Sequence, residues 1–277
     1  MRLHVLDTGF FKLDGGAMFG VVPQSIWKTL NPPDSNNMCT WAMRSLLLET
    51  EKSLILIDTG IGDKQSDKFF SHYYLHGEDS LKGSLAKIGF GPEQITDVFL
   101  THLHFDHVGG AVKREGEKLV PTFSNATYWS NEAHWTWAES PNPREKASFL
   151  KENFLPILEN GQLSFLNNTG QDFPAFFYLT VDGHTEKMML PSIVFKGKRI
   201  VFVSDLIPSV GHIPLPYLMA YDVRPLLTMQ EKKSFLQAAA AEKWILVFQH
   251  DPMHECCTVK FSEKGVAVDE TFRLKEI

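Results

Sequence analysis

Seven consecutive residues constrain this chain most: Thr101-His102-Leu103-His104-Phe105-Asp106-His107, directly after the apolar run Val98-Phe99-Leu100. Three imidazoles and a carboxylate at this density read as a metal site, because ring nitrogen and carboxylate oxygen are the donors that suit zinc, iron or manganese. A strand ending just before the cluster predicts that His102 and His104 leave on one side and Asp106 and His107 on the other, since alternate residues of an extended segment share a face. One short loop would then serve two neighbouring metals.

Three later positions extend the donor set: His184 in Gly183-His184-Thr185, Asp205 after Ile200-Val201-Phe202-Val203, and His250 after Ile245-Leu246-Val247-Phe248. Asp205 and His250 each follow a run rich in β-formers, where a strand presents a side chain at a sheet end. The glycine before His184 predicts a loop. Asp58-Thr59-Gly60 follows another such run, Leu54-Ile55-Leu56-Ile57.

These motifs, from Asp58 to His250, resemble those of the metallo-β-lactamase fold superfamily, in its dinuclear hydrolase branch. The resemblance implies an α/β fold, the four-layer αβ/βα sandwich, over a single domain of residues 1–277. It further implies that one metal takes His102, His104 and His184, that a second takes Asp106, His107 and His250, and that Asp205 bridges them. Asp58 would stand in the outer sphere and orient a histidine ligand. Two divalent ions, zinc first and iron or manganese as alternatives, would activate a shared water for hydrolysis. Asp106 would then also align that water.

Departures from relatives narrow the chemistry. Flavodiiron oxidoreductases carry a carboxylate where this chain has His104, and penicillin-hydrolysing zinc enzymes place a cysteine near the position of Asp205, so both readings are disfavoured. Many relatives read Pro-Gly-His-Thr-Pro-Gly-His around the fourth ligand, whereas this chain reads Asp182-Gly183-His184-Thr185-Glu186-Lys187-Met188. Substrate contacts in that loop therefore do not carry over.

The expected activity is cleavage of a small-molecule ester, lactone or phosphotriester, as in the acyl-homoserine lactonases and methyl parathion hydrolase-like proteins. The alternatives are a thioester hydrolase resembling glyoxalase II and a nucleotide phosphodiesterase, with a redox di-iron protein or a binding module as a third class. A formal charge of −6 and the absence of any lysine- and arginine-rich run argue against a nucleic-acid partner. The mixed-sign stretch Lys113 to Lys118 reads as a solvated hairpin turn.

With 43 % hydrophobic and 22 % charged residues the chain can bury a sizeable core, and no segment reads as a membrane span. The N-terminus, with charge among its apolar positions, predicts no secretory signal, so a cytoplasmic location is expected. Three cysteines, Cys39 and the adjacent Cys256 and Cys257, read as reduced thiols rather than a disulfide framework. Association as a homodimer is left open.

Around the site, Ser45–Glu49 and Ser53–Ile57 read as a hairpin turning at Glu51-Lys52. Helices are expected over 80–88, 143–160 and 232–242. Met18, Phe19 and Trp27 are expected to form an apolar wall for an acyl or aryl group, with core packing as the competing reading. After Asp205, His212 is a candidate catalytic residue that reaches a substrate oxygen or leaving group. Where lactonases place a tyrosine soon after the bridging aspartate this chain has Pro208, so Tyr217 is the candidate pocket residue, with Tyr221 beyond it. His134, in an aromatic segment, reads as packing beside a helix.

Overall fold

Short apolar strands bounded by turn residues frame the molecule, and the computed structural model describes residues 1–277. The first eight strands are β1 (Arg2–Asp14), β2 (Met38–Glu49), β3 (Leu54–Ile57), β4 (Asp97–Phe99), β5 (Val112–Glu115), β6 (Lys118–Pro121), β7 (Thr127–Asn131) and β8 (Leu163–Leu166). Then follow β9 (Phe177–Val181), β10 (Met188–Phe195), β11 (Lys198–Phe202), β12 (Ile245–Val247), β13 (Cys256–Ser262) and β14 (Gly265–Phe272). The helices are α1 (Gly15–Phe19), α2 (Gln24–Trp27), α3 (Asp67–Phe70), α4 (Leu81–Lys87), α5 (Phe105–Val108), α6 (Glu132–Glu139), α7 (Leu155–Glu159) and α8 (Pro225–Glu242).

One six-stranded sheet runs in the order β1-β2-β3-β4-β7-β8, a second in the order β14-β13-β12-β11-β10-β9, and β5 and β6 form a hairpin. Strands β3, β4, β7 and β8 pair in parallel, as do β11 and β12. Parallel strands buried on both faces carry continuous rather than alternating apolar residues. That accounts for Leu54-Ile55-Leu56-Ile57 and Ile245-Leu246-Val247.

Register decides where the donors emerge. Ile57 pairs with Phe99, and Phe202 pairs with Val247, each at the carboxyl end of its strand. His102 comes three residues after Phe99, Asp205 three after Phe202 and His250 three after Val247. In each parallel pair the polar chemistry therefore leaves at the end where open α/β sheets place their ligands.

The chain resolves into two compact units, Met1–Gly9 with Met43–Pro174, and Phe10–Ala42 with Ala175–Ile277. Leu47, Leu56, Val98, Leu103, Phe123, Tyr128, Trp135 and Phe154 centre the core of the first. Met188, Leu190, Val201, Leu206, Phe235, Leu246, Phe248 and Cys257 centre that of the second. No helix is long and apolar enough to cross a membrane.

The hairpin at Glu51-Lys52 is found, with Leu48 opposite Ile55, and so is the 112–121 hairpin. Helix α4 starts where expected because the Ser80 hydroxyl accepts the Gly83 N–H. Three expectations are corrected. Residues 143–160 do not form one helix: only Leu155–Glu159 is α-helical, preceded by a 3-10 turn over Lys151–Asn153. Pro156 supplies no N–H to a preceding turn and is tolerated only at the start of α7. The helix expected over 232–242 begins earlier, at Pro225, whose fixed φ suits a first helical position. Finally, Asp106 and His107 do not alternate along an extended segment but ride on the helical turn α5.

Candidate metal centre

In the first unit the donors follow β4. The Asp58 backbone lies at φ 55, a left-handed conformation that aspartate tolerates. Its Oδ1 accepts the Thr101 N–H at 2.8 Å, and its Oδ2 accepts the Thr101 hydroxyl at 2.7 Å and His107 Nδ1–H at 3.0 Å. Thr101 Oγ1 in turn lies 3.1 Å from His102 Nδ1. One carboxylate thus fixes two rings, the outer-sphere part expected of Asp58. The Glu145 carboxylate lies 3.5 Å from His104 Nε2. These contacts leave His102 Nε2 and His104 Nδ1 facing each other at 3.1 Å. Asp106 Oδ2 lies 3.9 Å from His107 Nε2.

In the second unit Asp205 occupies the turn after β11, behind Ser204 at φ 43. Its Oδ2 faces His184 Nε2 at 3.1 Å and its Oδ1 faces His250 Nε2 at 3.0 Å. The far nitrogens are spoken for: His184 Nδ1–H donates to Asp222 at 2.9 Å and His250 Nδ1–H to the Ala42 carbonyl at 2.8 Å. Burial disfavours a charged His184, yet Asp205 and Asp222 outweigh it and raise its pKa to about 10.

The donor spacing fits zinc. Ligands each about 2.0–2.1 Å from one ion at near-tetrahedral angles stand roughly 3.3–3.4 Å apart. The His102–His104, His184–Asp205 and His250–Asp205 separations of 3.1, 3.1 and 3.0 Å fall a few tenths of an ångström short of that spacing, so a small outward turn of each side chain would admit an ion. All seven donors are buried, and His102, His107, His184 and His250 each hydrogen-bond through the outward Nδ1, which sets their tautomers.

Residues 44–250 match the metallo-beta-lactamase superfamily. The chain belongs to that superfamily. Its α/β sandwich is the metallo-β-lactamase fold, and members of the superfamily bind divalent metals. An N-acyl homoserine lactonase of Bacillus cereus is 31% identical over 144 residues, 48% of this chain and 51% of that protein. Another, from a Bacillus species, is 26% identical over 171 residues, 58% of this chain and 60% of that protein. The chain therefore spans about half the length of the curated relatives it matches. A probable metal-dependent hydrolase from Staphylococcus aureus superposes with TM-score 0.88 at 27% identity, over 98% of this chain and 96% of its own. AidC, a dizinc quorum-quenching lactonase solved with its product N-hexanoyl-L-homoserine, shares the fold with TM-score 0.80 at 23% identity, covering 98% and 95%.

Other candidate positions of this superfamily member have different surroundings. Met18, Phe19 and Trp27 are fully buried, and Phe19 lies stacked on Trp27 and on His212, its centroid 5.6 and 4.4 Å from theirs. His212 Nε2–H donates to the Met18 carbonyl at 2.8 Å, while its Nδ1 lies 2.7 Å from the Ser209 hydroxyl. Burial lowers its pKa to about 3. With both nitrogens engaged, the expected reach toward a leaving group is not made: His212 is a neutral brace between α1 and the 209–212 turn. Tyr217 is half-buried, its carbonyl accepting from Lys232 Nζ at 2.8 Å. Cys256 and Cys257 lie on β13, and all three cysteines are free and buried.

Sequence reasoning missed Asp222, Glu145 and the Ala42 carbonyl, because no spacing rule links them to the histidines they touch. It also missed a positioning role for His134, whose Nε2 accepts the Leu103 N–H at 2.8 Å in the middle of the metal loop. An aromatic cluster went unnoticed as well: Phe105, next to Asp106, meets Phe69 at 5.4 Å and Tyr73 at 4.7 Å between ring centroids. Burial, with a smaller part from the Asp106 charge, raises the Tyr73 pKa to about 12, so its hydroxyl keeps its proton at neutral pH.

Proposed function

We propose that this chain is a two-metal hydrolase that opens the ester bond of a small lactone bearing an apolar acyl chain. His102, His104, His184 and Asp205 would form one donor group and Asp106, His107 and His250 the other, with Asp205 serving both ions. The observation that carries the reading is Asp205 itself, whose two oxygens face two different histidines at 3.1 and 3.0 Å, the posture of a bridging carboxylate. When bound, the ions supply Lewis acidity to an ester oxygen and make a water acidic enough to act near neutral pH.

The chain's own residues do the rest. Asp106 would ligate through one oxygen and accept a hydrogen bond from the attacking water, aligning it. The aromatic cluster of Phe69, Tyr73 and Phe105 supplies apolar area beside Asp106 for an acyl chain. Tyr73 carries a protonated hydroxyl suited to donate to a carbonyl. His212 holds α1 rather than moving a proton. The lactone class is supported by the Bacillus relatives, which are N-acyl homoserine lactonases.

The deciding assay follows proton release from zinc-loaded protein given acyl-homoserine lactones, an aryl ester, a phosphotriester and a glutathione thioester, with His102→Ala as control. Lactone turnover that disappears in His102→Ala is the expected result. Turnover of the thioester alone would replace the lactone reading with a thioesterase.

A further inference from the structure

Four of the five metal-loop histidines turn Nδ1 outward, His102 to Thr101, His107 to Asp58, His184 to Asp222 and His250 to Ala42. His104 is the reverse: its Nδ1 faces His102 Nε2 and its Nε2 points away, toward Glu145. Donation from Nδ1 requires the proton on Nε2, and in a buried ring that tautomer is secured by an acceptor facing Nε2.

Glu145 is built for that task. It is 3 % exposed, which is expensive for a carboxylate unless its charge is used. Its Oε2 accepts from Trp137 Nε1 at 2.7 Å and from Asn142 Nδ2 at 2.5 Å, which fixes the plane of the group. The other oxygen is thereby aimed at His104 Nε2, 3.5 Å away, close enough for charge attraction and slightly long for a hydrogen bond. A cation on Nδ1 makes the Nε2 proton more acidic and draws that contact shorter. The surroundings are stitched to the metal loop: Phe105 N–H donates to the Ser148 carbonyl at 3.0 Å, and Phe149 packs on the His104 ring at 4.7 Å between centroids.

We infer that Glu145 is the positioning residue that keeps the proton of His104 on Nε2, leaving Nδ1 as the metal donor, and so sets the affinity of the ion bound by His102 and His104. The inference rests on the two-metal reading above, but the tautomer it names can be measured without any metal.

Glu145→Gln is the informative change. Its amide oxygen takes the place of Oε2, where Trp137 and Asn142 donate, so its NH2 group faces His104 Nε2. That group asks for a lone pair on Nε2 and moves the proton to Nδ1, where it blocks the donor. Histidine-labelled protein, examined by ring-nitrogen NMR with and without zinc, reads the tautomer directly, and competitive zinc titration reads the two binding steps.

The expected result is a Nδ1-protonated His104 in the metal-free variant and one binding step weakened about tenfold to a hundredfold, the other unchanged. Glu145→Asp keeps the charge and is expected to retain the Nε2 proton with a smaller loss. Trp137→Phe removes a donor from the same carboxylate while sparing the oxygen that faces His104, and should lower the melting temperature without separating the two steps. The inference is overturned if Glu145→Gln leaves the His104 proton on Nε2, or if it weakens both steps equally. A wild-type protein that takes up fewer than two zinc ions would instead sink the two-metal reading, while the ring spectrum would still decide the role of Glu145.

Discussion

At the residue scale, the chain separates histidines that a sequence makes look alike. His102 and His212 are both buried beside aromatic or imidazole rings, but only the first keeps a ring nitrogen directed at another donor. His212 uses Nε2–H on Met18 and accepts at Nδ1, which requires the neutral form. Its pKa is near 3 in the fold against 6.5 in an unfolded chain, with burial the main cause. Above pH 6.5 neither state carries the proton, so the residue contributes no pH dependence there. As the pH falls from 6.5 toward 3 the unfolded chain binds the proton and the fold does not, so stability is lost across that window. By about pH 5 the loss amounts to about 2 kcal/mol. Urea unfolding of metal-free protein at neutral pH and at about pH 5 should show this difference shrinking in His212→Asn, whose absolute stability is lower. An identical pH dependence in the two proteins would mean that the ring is protonated without cost. The sequence reading gave His212 a reach into the cleft, because ring partners 3 and 194 positions away are not visible in a linear pattern.

At the element scale, the strand ends were legible and their supports were not. The apolar runs before Asp58, His102, Asp205 and His250 are strands as read, because continuous β-branched and leucine residues suit a covered parallel sheet. Helix α8 illustrates the opposite case: its start was misplaced, and the turn it adds carries its contribution to the site. Glu231 accepts the Asp182 and Gly183 N–H groups at 2.8 and 3.0 Å, and Arg224 N–H donates to the Gly183 carbonyl at 2.9 Å. The His184 loop is therefore laid directly on the first turns of α8. Only a glycine permits this approach, since a Cβ at position 183 would stand 2.3 Å from the Thr228 backbone nitrogen. Gly183→Ala should cost about 1–3 kcal/mol, as overpacking against backbone does, and should reduce zinc retention because His184 moves with the loop. Denaturation midpoints and metal content after gel filtration check both. Unchanged values would show that α8 slides aside at no cost.

At the scale of the whole molecule, the division into units follows no linker that a sequence could reveal. Residues 10–42 leave the first unit and join residues 175–277, so the chain passes from one unit to the other at Gly9, Ala42 and Pro174. Such exchange of segments is set by long-range pairing, not by local composition, and the sequence accordingly read as one domain. The proposed donors sharpen the point, since they run from His102 to His250, and ions that bind them together stabilise only the folded chain. An ion present at about a thousand times its dissociation constant adds about 4 kcal/mol, or on the order of 10 °C in melting temperature for a chain of this size. Chelation should therefore lower the melting temperature by about that much, and stoichiometric zinc should restore it. Calorimetry further tests the one-domain reading. If the segment exchange makes the chain a single cooperative unit, metal-free protein melts in one transition that moves as a whole when zinc is added. Two transitions, of which zinc shifts only one, would mean that the units unfold separately and that the ions are held by one donor set alone.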